Sequence, residues 1–294
     1  MPVEPGFRSR QEIDWRGRRR ARPPMPHGRS LLLTGVAVLV LVSSLLLAVI
    51  SLQRKDILSG PGSSPAPSKA VSKDPFAGTP ASGFSEGDAG IVLPAAAPIG
   101  PWTAPEVQDV LNRTKQTLVA ARLDSPMVEQ GDTAAYLASI SEGARGTVTK
   151  SLQTADGLGY VSRLADGFQL AAPIRVKGSM TVALGTKKEL VVSANYVWVY
   201  PLVGSVPTTP KGPGSTLVLL HTAETYQWFA PKGIAKKDTG LRPGAGQIAK
   251  LNLDCSFARG GKLALPTADS GGPAAPPASA FNPATNPDEL PSPC

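Results

Sequence analysis

Proton transfer and nucleophilic attack in proteins mostly rely on a histidine placed beside a hydroxyl, thiol or carboxylate. Beyond residue 53 the chain has one histidine, His221. Glu224 follows it by three residues in a stretch with strand periodicity, so the two side chains leave opposite faces and cannot readily share a proton or a metal. His221 is therefore read as a surface or internally hydrogen-bonded residue. Tyr196 and Tyr226 could donate protons, and Asp156 and Asp166 could accept them. Asp156-Gly157 and Asp166-Gly167 also have the composition of turn dipeptides, and that reading is favoured. Tyr196, Trp198, Tyr200, Tyr226 and Trp228 alternate along two segments. They form either a cross-strand aromatic core, the favoured reading, or the lining of a ligand pocket. A Gly-rich phosphate loop, a Cys-x-x-Cys pair and a clustered acidic metal site are all missing from the sequence. No catalytic, cofactor-binding or metal-binding residue is assigned, and no cofactor is expected.

Lys211, Lys232, Lys236, Lys237, Arg242 and Lys250 are placed around the last two loops and read as solvated charge able to meet anionic lipid or wall polymer. Two cysteines, Cys255 and Cys294, complete the reactive inventory. A bridge between them would close a long loop. Alternation over Leu251, Leu253, Cys255 and Phe257 argues instead that Cys255 points into the core of a strand. The expectation is a buried free thiol at Cys255 and an exposed Cys294 open to intermolecular pairing.

The elements that carry these residues begin after a membrane segment. The formal net charge of +8 is concentrated at the start of the chain, where eight Arg within residues 1–30 face Glu4, Glu12 and Asp14. Arg16, Arg18, Arg19, Arg20, Arg22 and Arg29 lie nearest to the 22 uncharged residues from Leu31 to Leu52, LLLTGVAVLVLVSSLLLAVISL. About 20 apolar residues suffice to cross a bilayer, and Arg density ahead of the span places the N-terminus in the cytoplasm. The run is longer than a signal-peptide core and lacks an A-x-A site, so an anchor is favoured over a cleaved signal. The basic tail is a topology signal first, and no nucleic-acid partner is expected.

Thirty Pro and thirty Gly limit how much of the 294-residue chain can be packed core. Residues 53–101 read as a Pro/Gly/Ser/Ala-rich linker and residues 263–294 as a disordered Pro-rich tail. Between them, residues 102–262 carry the periodicity of a folded domain. Thr103-Ala104-Pro105-Glu106 has capping-box form, and Val107, Val110, Leu111, Thr114, Leu118 and Ala121 line one helical face up to Leu123. Two shorter helices are expected over 131–140 and 144–152. Strands follow over 174–184, 189–200, 216–229 and 247–257, the second of them central because it is apolar on both sides. Helices first and an antiparallel meander after them define an α+β domain whose helices cover a curved sheet of about four strands.

Over residues 102–258 the element order, together with Ala120-Ala121-Arg122-Leu123-Asp124 and Tyr196-Val197-Trp198-Val199-Tyr200, resembles the nuclear-transport-factor-two-like cone fold. The whole layout is similar to actinobacterial bitopic proteins such as the Mce-associated membrane proteins and the bitopic core component of type IV secretion systems. The resemblance implies a single-pass cell-membrane protein whose extracytoplasmic cone domain binds a protein partner or assembles with copies of itself, without enzymatic activity. It leaves two alternatives: a structural subunit of a secretion or conjugation apparatus, and a small-molecule lyase or isomerase using an Asp base and a Tyr donor inside the cone. Limited proteolysis is expected to release a core of roughly residues 100–262. A reporter active only outside the cytoplasm should work when fused after residue 60 and fail at residue 25. Neutralising Arg16, Arg18, Arg19, Arg20 and Arg22 should weaken that orientation, and the opposite reporter pattern would refute it.

Overall fold

The computed structural model describes residues 74–204, 211–230 and 234–294. The Arg-rich segment, the apolar run 31–52, the start of the proposed linker and Lys232 lie outside the described residues. Among the described residues no helix is long and apolar enough to cross a membrane.

Helix α1, Ala104–Arg122, starts where its cap requires. The Thr103 backbone N–H and hydroxyl both donate to the Glu106 carboxylate at 2.7 Å, and these bonds hold that carboxyl below its ordinary pKa. Its inward face carries the expected residues, Val107, Val110, Leu111, Thr114, Leu118 and Ala121. Pro126 sits in the first turn of α2, Ser125–Gln130, a position that tolerates a missing N–H. Helices α3 (Ala134–Ser139), α4 (Glu142–Ser151) and α5 (Gly157–Tyr160) complete this layer.

Among the described residues six strands form an antiparallel sheet: β1 Ser85–Glu86, β2 Phe168–Leu170, β3 Arg175–Leu184, β4 Leu190–Gly204, β5 Leu217–Phe229 and β6 Gly240–Leu251. The order is β1-β3-β4-β5-β6, with β2 pairing the far end of β4. The mixed α+β class and the central place of β4 are as expected from periodicity. The fourth strand is not where alternation put it, because β6 starts at Gly240 and ends at Leu251. Asn252 then takes a left-handed φ of 53°, which breaks an extended strand.

One sheet face packs on the helices through Val176, Met180, Val192, Tyr196, Trp198 and Leu220 against Val107, Val110, Leu111 and Leu118. The opposite face is also apolar at Val197, Val199, Leu217 and Leu219, and Phe76, Phe84, Phe281 and Leu290 cover it. This corrects the reading of 53–101 as linker and 263–294 as disordered tail: residues 74–101 and 263–294 are packed segments. Few apolar residues are needed to hold each one. Phe84 and Phe281 meet edge to face at 6.3 Å between centroids, and the Arg175 guanidinium donates to the Phe84 carbonyl at 2.8 Å and lies over the Phe76 ring.

The cysteines are corrected by the same early strand ending. Asp254 accepts from the Ser256 N–H at 2.9 Å and caps a short helix α6, Cys255–Ala258, which lifts Cys255 out of the sheet. Cys255 is bonded to Cys294, and neither is a free thiol. The last residues run beside β6, where Ser292 Oγ accepts from the Lys250 N–H at 3.1 Å and Gln247 donates to Asp288.

Without reductant, thiol reagents should therefore label neither cysteine, native or denatured. Limited proteolysis should release a fragment extending from about residue 74 to the C-terminus rather than the shorter core. Removing the bridge with Cys255→Ser should lower stability by up to about 4 kcal/mol, the loop-entropy scale for a loop of this length, and should make 263–294 the first region cut. Rapid labelling of Cys294 in the native protein would overturn the pairing.

Candidate functional site

The C-terminal turn of α1 drives an arginine into the core. Arg122 is 0% exposed, which is tolerable only if its donors find partners. Its Nη1 donates to the Leu158 carbonyl at 2.8 Å and to Ser162 Oγ at 3.2 Å, while Nη2 donates to the Gly159 carbonyl at 2.9 Å and to Glu224 Oε1 at 2.6 Å. The other carboxylate oxygen, Glu224 Oε2, accepts from the Tyr226 hydroxyl at 2.6 Å. Tyr200 donates to Ser162 Oγ at 2.7 Å. Burial disfavours the guanidinium charge most, but the Glu224 carboxylate together with Tyr200 and Tyr226 outweighs it and holds Arg122 above its ordinary pKa. Burial pushes Tyr200 up to about 12, and burial together with Glu224 raises Tyr226 well above its usual value. The phenols therefore remain neutral donors around one ion pair.

This network explains how the candidate aromatics are used. Tyr196, Trp198, Tyr200 and Tyr226 are buried side by side on the helical face of the sheet. Tyr196 lies over Gly178 of β3, where a Cβ would come within 2.3 Å of its ring, and its ring sits 5.4 Å from that of Trp198. Trp198 Nε1 donates to Thr222 Oγ1 at 3.0 Å. Trp228 is half-buried at the rim, with the Arg113 guanidinium 5.3 Å from its centroid. The first four belong to the helical-face core with Trp228 packed against it, and Tyr226 also lines a cleft.

That cleft, about 350 Å³, lies between α5 and the β5–β6 pair and is lined by Asp156, Tyr160, Glu224, Tyr226, Ile248 and Lys250 among others. It exists because β6 lacks side chains there. Gly246 stands opposite Glu224, and the register shifts between Glu224 and Tyr226. A Cβ at Gly246 would lie 3.5 Å from Glu224 Cγ. Asp156 is exposed at the rim and precedes α5, in keeping with its turn reading. Asp166 is separate, paired with Lys262 at 3.0 Å. Lys250, grouped from the sequence with solvated loop lysines, is instead a strand residue only 8% exposed.

His221 leaves the opposite face, as alternation required, and its Nε2 lies 3.2 Å from Asn195 Oδ1. Burial lowers its pKa, with the Pro283 backbone opposing the shift. Among the described residues no group of three or more His, Cys, Asp or Glu could hold a metal ion. From the sequence, Glu224 was weighed only as a partner of His221, Lys250 only as a solvated loop cation and Arg122 only within a motif, so none of the three was assigned to a site. A signal was present for Glu224, since it falls on the same alternating face as Tyr226 and Trp228.

Arg122→Met should destabilise the domain by about 3–5 kcal/mol, because it strands a buried carboxylate. Glu224→Gln should also cost stability, and the double variant should cost less than the sum of the two. A denaturant-unfolding cycle measures this coupling, and additive effects would show that the pair is not the unit described here.

Comparison with known proteins returned no match to a family model, to a curated protein or to a solved structure.

Proposed function

We propose that the protein is a membrane-anchored binding module of the cell envelope, non-enzymatic, with its N-terminus cytoplasmic and its cone-like α+β domain outside the cytoplasm. The layout similar to Mce-associated membrane proteins belongs to the same reading. The uncharged run 31–52 provides the anchor. The Cys255–Cys294 bridge fits a compartment in which disulfides persist.

The observation that carries the binding role is the free edge of β3. From Lys177 to Leu184 this strand pairs with β4 on one side, while β1 covers only Arg175 and Val176 on the other. Ser179, Thr181, Ala183 and Leu184 along it are exposed. Among the described residues nothing else pairs with this edge, and its eight residues offer their backbone N–H and C=O groups to an incoming strand, from a protein partner or from a second copy of the chain. A structural subunit of a secretion or conjugation apparatus would use the same edge. The lyase or isomerase alternative has a different observation behind it, the cleft that brings Asp156, Tyr160, Glu224 and Tyr226 together.

A photo-crosslinking residue at Thr181, in the full chain in its native membrane, should capture a discrete partner or a dimer. The same probe at Glu289, on the far side of the sheet, should not. Equal capture at both positions, or at neither, would remove the edge from consideration.

A further inference from the structure

Lys250 lies on β6 opposite Leu220, on the helical face of the sheet, and is more than nine-tenths buried. Lysines are rarely buried to this degree unless paired. Among the described residues its ammonium makes no hydrogen bond and no ion pair, although its backbone N–H is used by Ser292. The ammonium is not sealed in the core either, because Lys250 lines the cleft.

The buried carboxylate of that lining is already occupied. Glu224 gives one oxygen to Arg122 and the other to Tyr226, each at 2.6 Å. Asp156 sits at the rim and is exposed. Glu224 stands opposite Gly246 and Lys250 lies four residues further along β6, so about 14 Å of strand separates the two ends of the cleft at roughly 3.4 Å per residue. A cavity of about 350 Å³ is at the small end of the range for ligand sites, about 300–1,000 Å³.

We propose that this cleft binds a small organic monocarboxylate, whose carboxylate takes the Lys250 ammonium as its counter-ion and whose apolar body lies along Ile248, Tyr160 and Tyr226. The charge pattern selects against more highly charged anions: one ammonium matches a single negative charge, and the exposed Asp156 at the rim repels a phosphate dianion more than a monoanion. A cation lacks a free carboxylate inside, because Glu224 is engaged. The site is on the helical face, and it stands independently of the β3 edge.

The test uses the purified full-length chain titrated with benzoate, phenylacetate and hexanoate, with inorganic phosphate and benzylamine as contrasts, read by ligand-observed NMR and calorimetry. At least one carboxylate should saturate in the millimolar range, and phosphate and benzylamine should not. Lys250→Met should weaken that binding about tenfold or more, while Lys250→Arg retains part of it. Ala155→Phe, which fills the cleft from its rim, should abolish binding with Lys250 intact. The thermal midpoint of Lys250→Met should equal or exceed that of the wild type, since the change removes an unpaired buried charge. Failure of all three carboxylates to saturate, phosphate binding as tightly as they do, or wild-type affinity in Lys250→Met would overturn the proposal. A lower thermal midpoint for Lys250→Met would also overturn it, by making Lys250 a structural cation.

Discussion

A guanidinium without solvent can be held only by a surrounding cage of acceptors, and the core of this domain is arranged around that requirement. Arg122 closes α1, takes two carbonyls from α5, and meets Glu224 of β5 at 2.6 Å. Three elements far apart in sequence are thereby fixed at one point. Tyr200 and Tyr226 join the network from β4 and β5, so the orientation of the helical layer on the sheet depends on the ion pair being satisfied. An apolar residue at position 122 would leave the α5 carbonyls and Glu224 Oε1 without a donor, and a buried acceptor left without a donor destabilises more than a missing apolar contact.

The second constraint is that β4 and β5 are apolar on both faces. Val197, Val199, Leu217 and Leu219 would present an exposed patch if the sheet carried helices on one side alone. The segments flanking the central domain supply the missing layer, with Phe76 and Phe84 from one and Phe281 and Leu290 from the other. Apart from the two-residue strand β1, both segments have only short turns, and each is held by a few anchors. The disulfide at Cys294 adds a covalent hold where the second segment ends against α6.

The same geometry separates the two surfaces that bear on function. The cleft opens where Gly246 and the β5–β6 register shift remove side chains from the helical face. The free edge belongs to β3, two strands away across β4 and β5. A ligand in the cleft would touch Tyr226 and so lie one hydrogen bond from the Arg122–Glu224 pair.

Local pattern alone determined α1, with its capping box and buried face, the strands β3, β4 and β5, and the opposite facing of His221 and Glu224. Each follows from a period of 3.6 or 2 or from a capping bond within four residues, so a single sequence suffices. What was not legible depends on partners distant in the chain. The ordering of 74–101 and 263–294 depends on an apolar outer face that only the assembled sheet presents, although the apolar residues on both sides of β4 signalled it. The disulfide turned on where β6 ends, and Asn252 with the Asp254 cap ended it before the alternation did. The burial of Arg122 and Lys250 had no local sign, because a charged residue reads as solvent-facing until the tertiary fold supplies acceptors for the first and a cleft for the second.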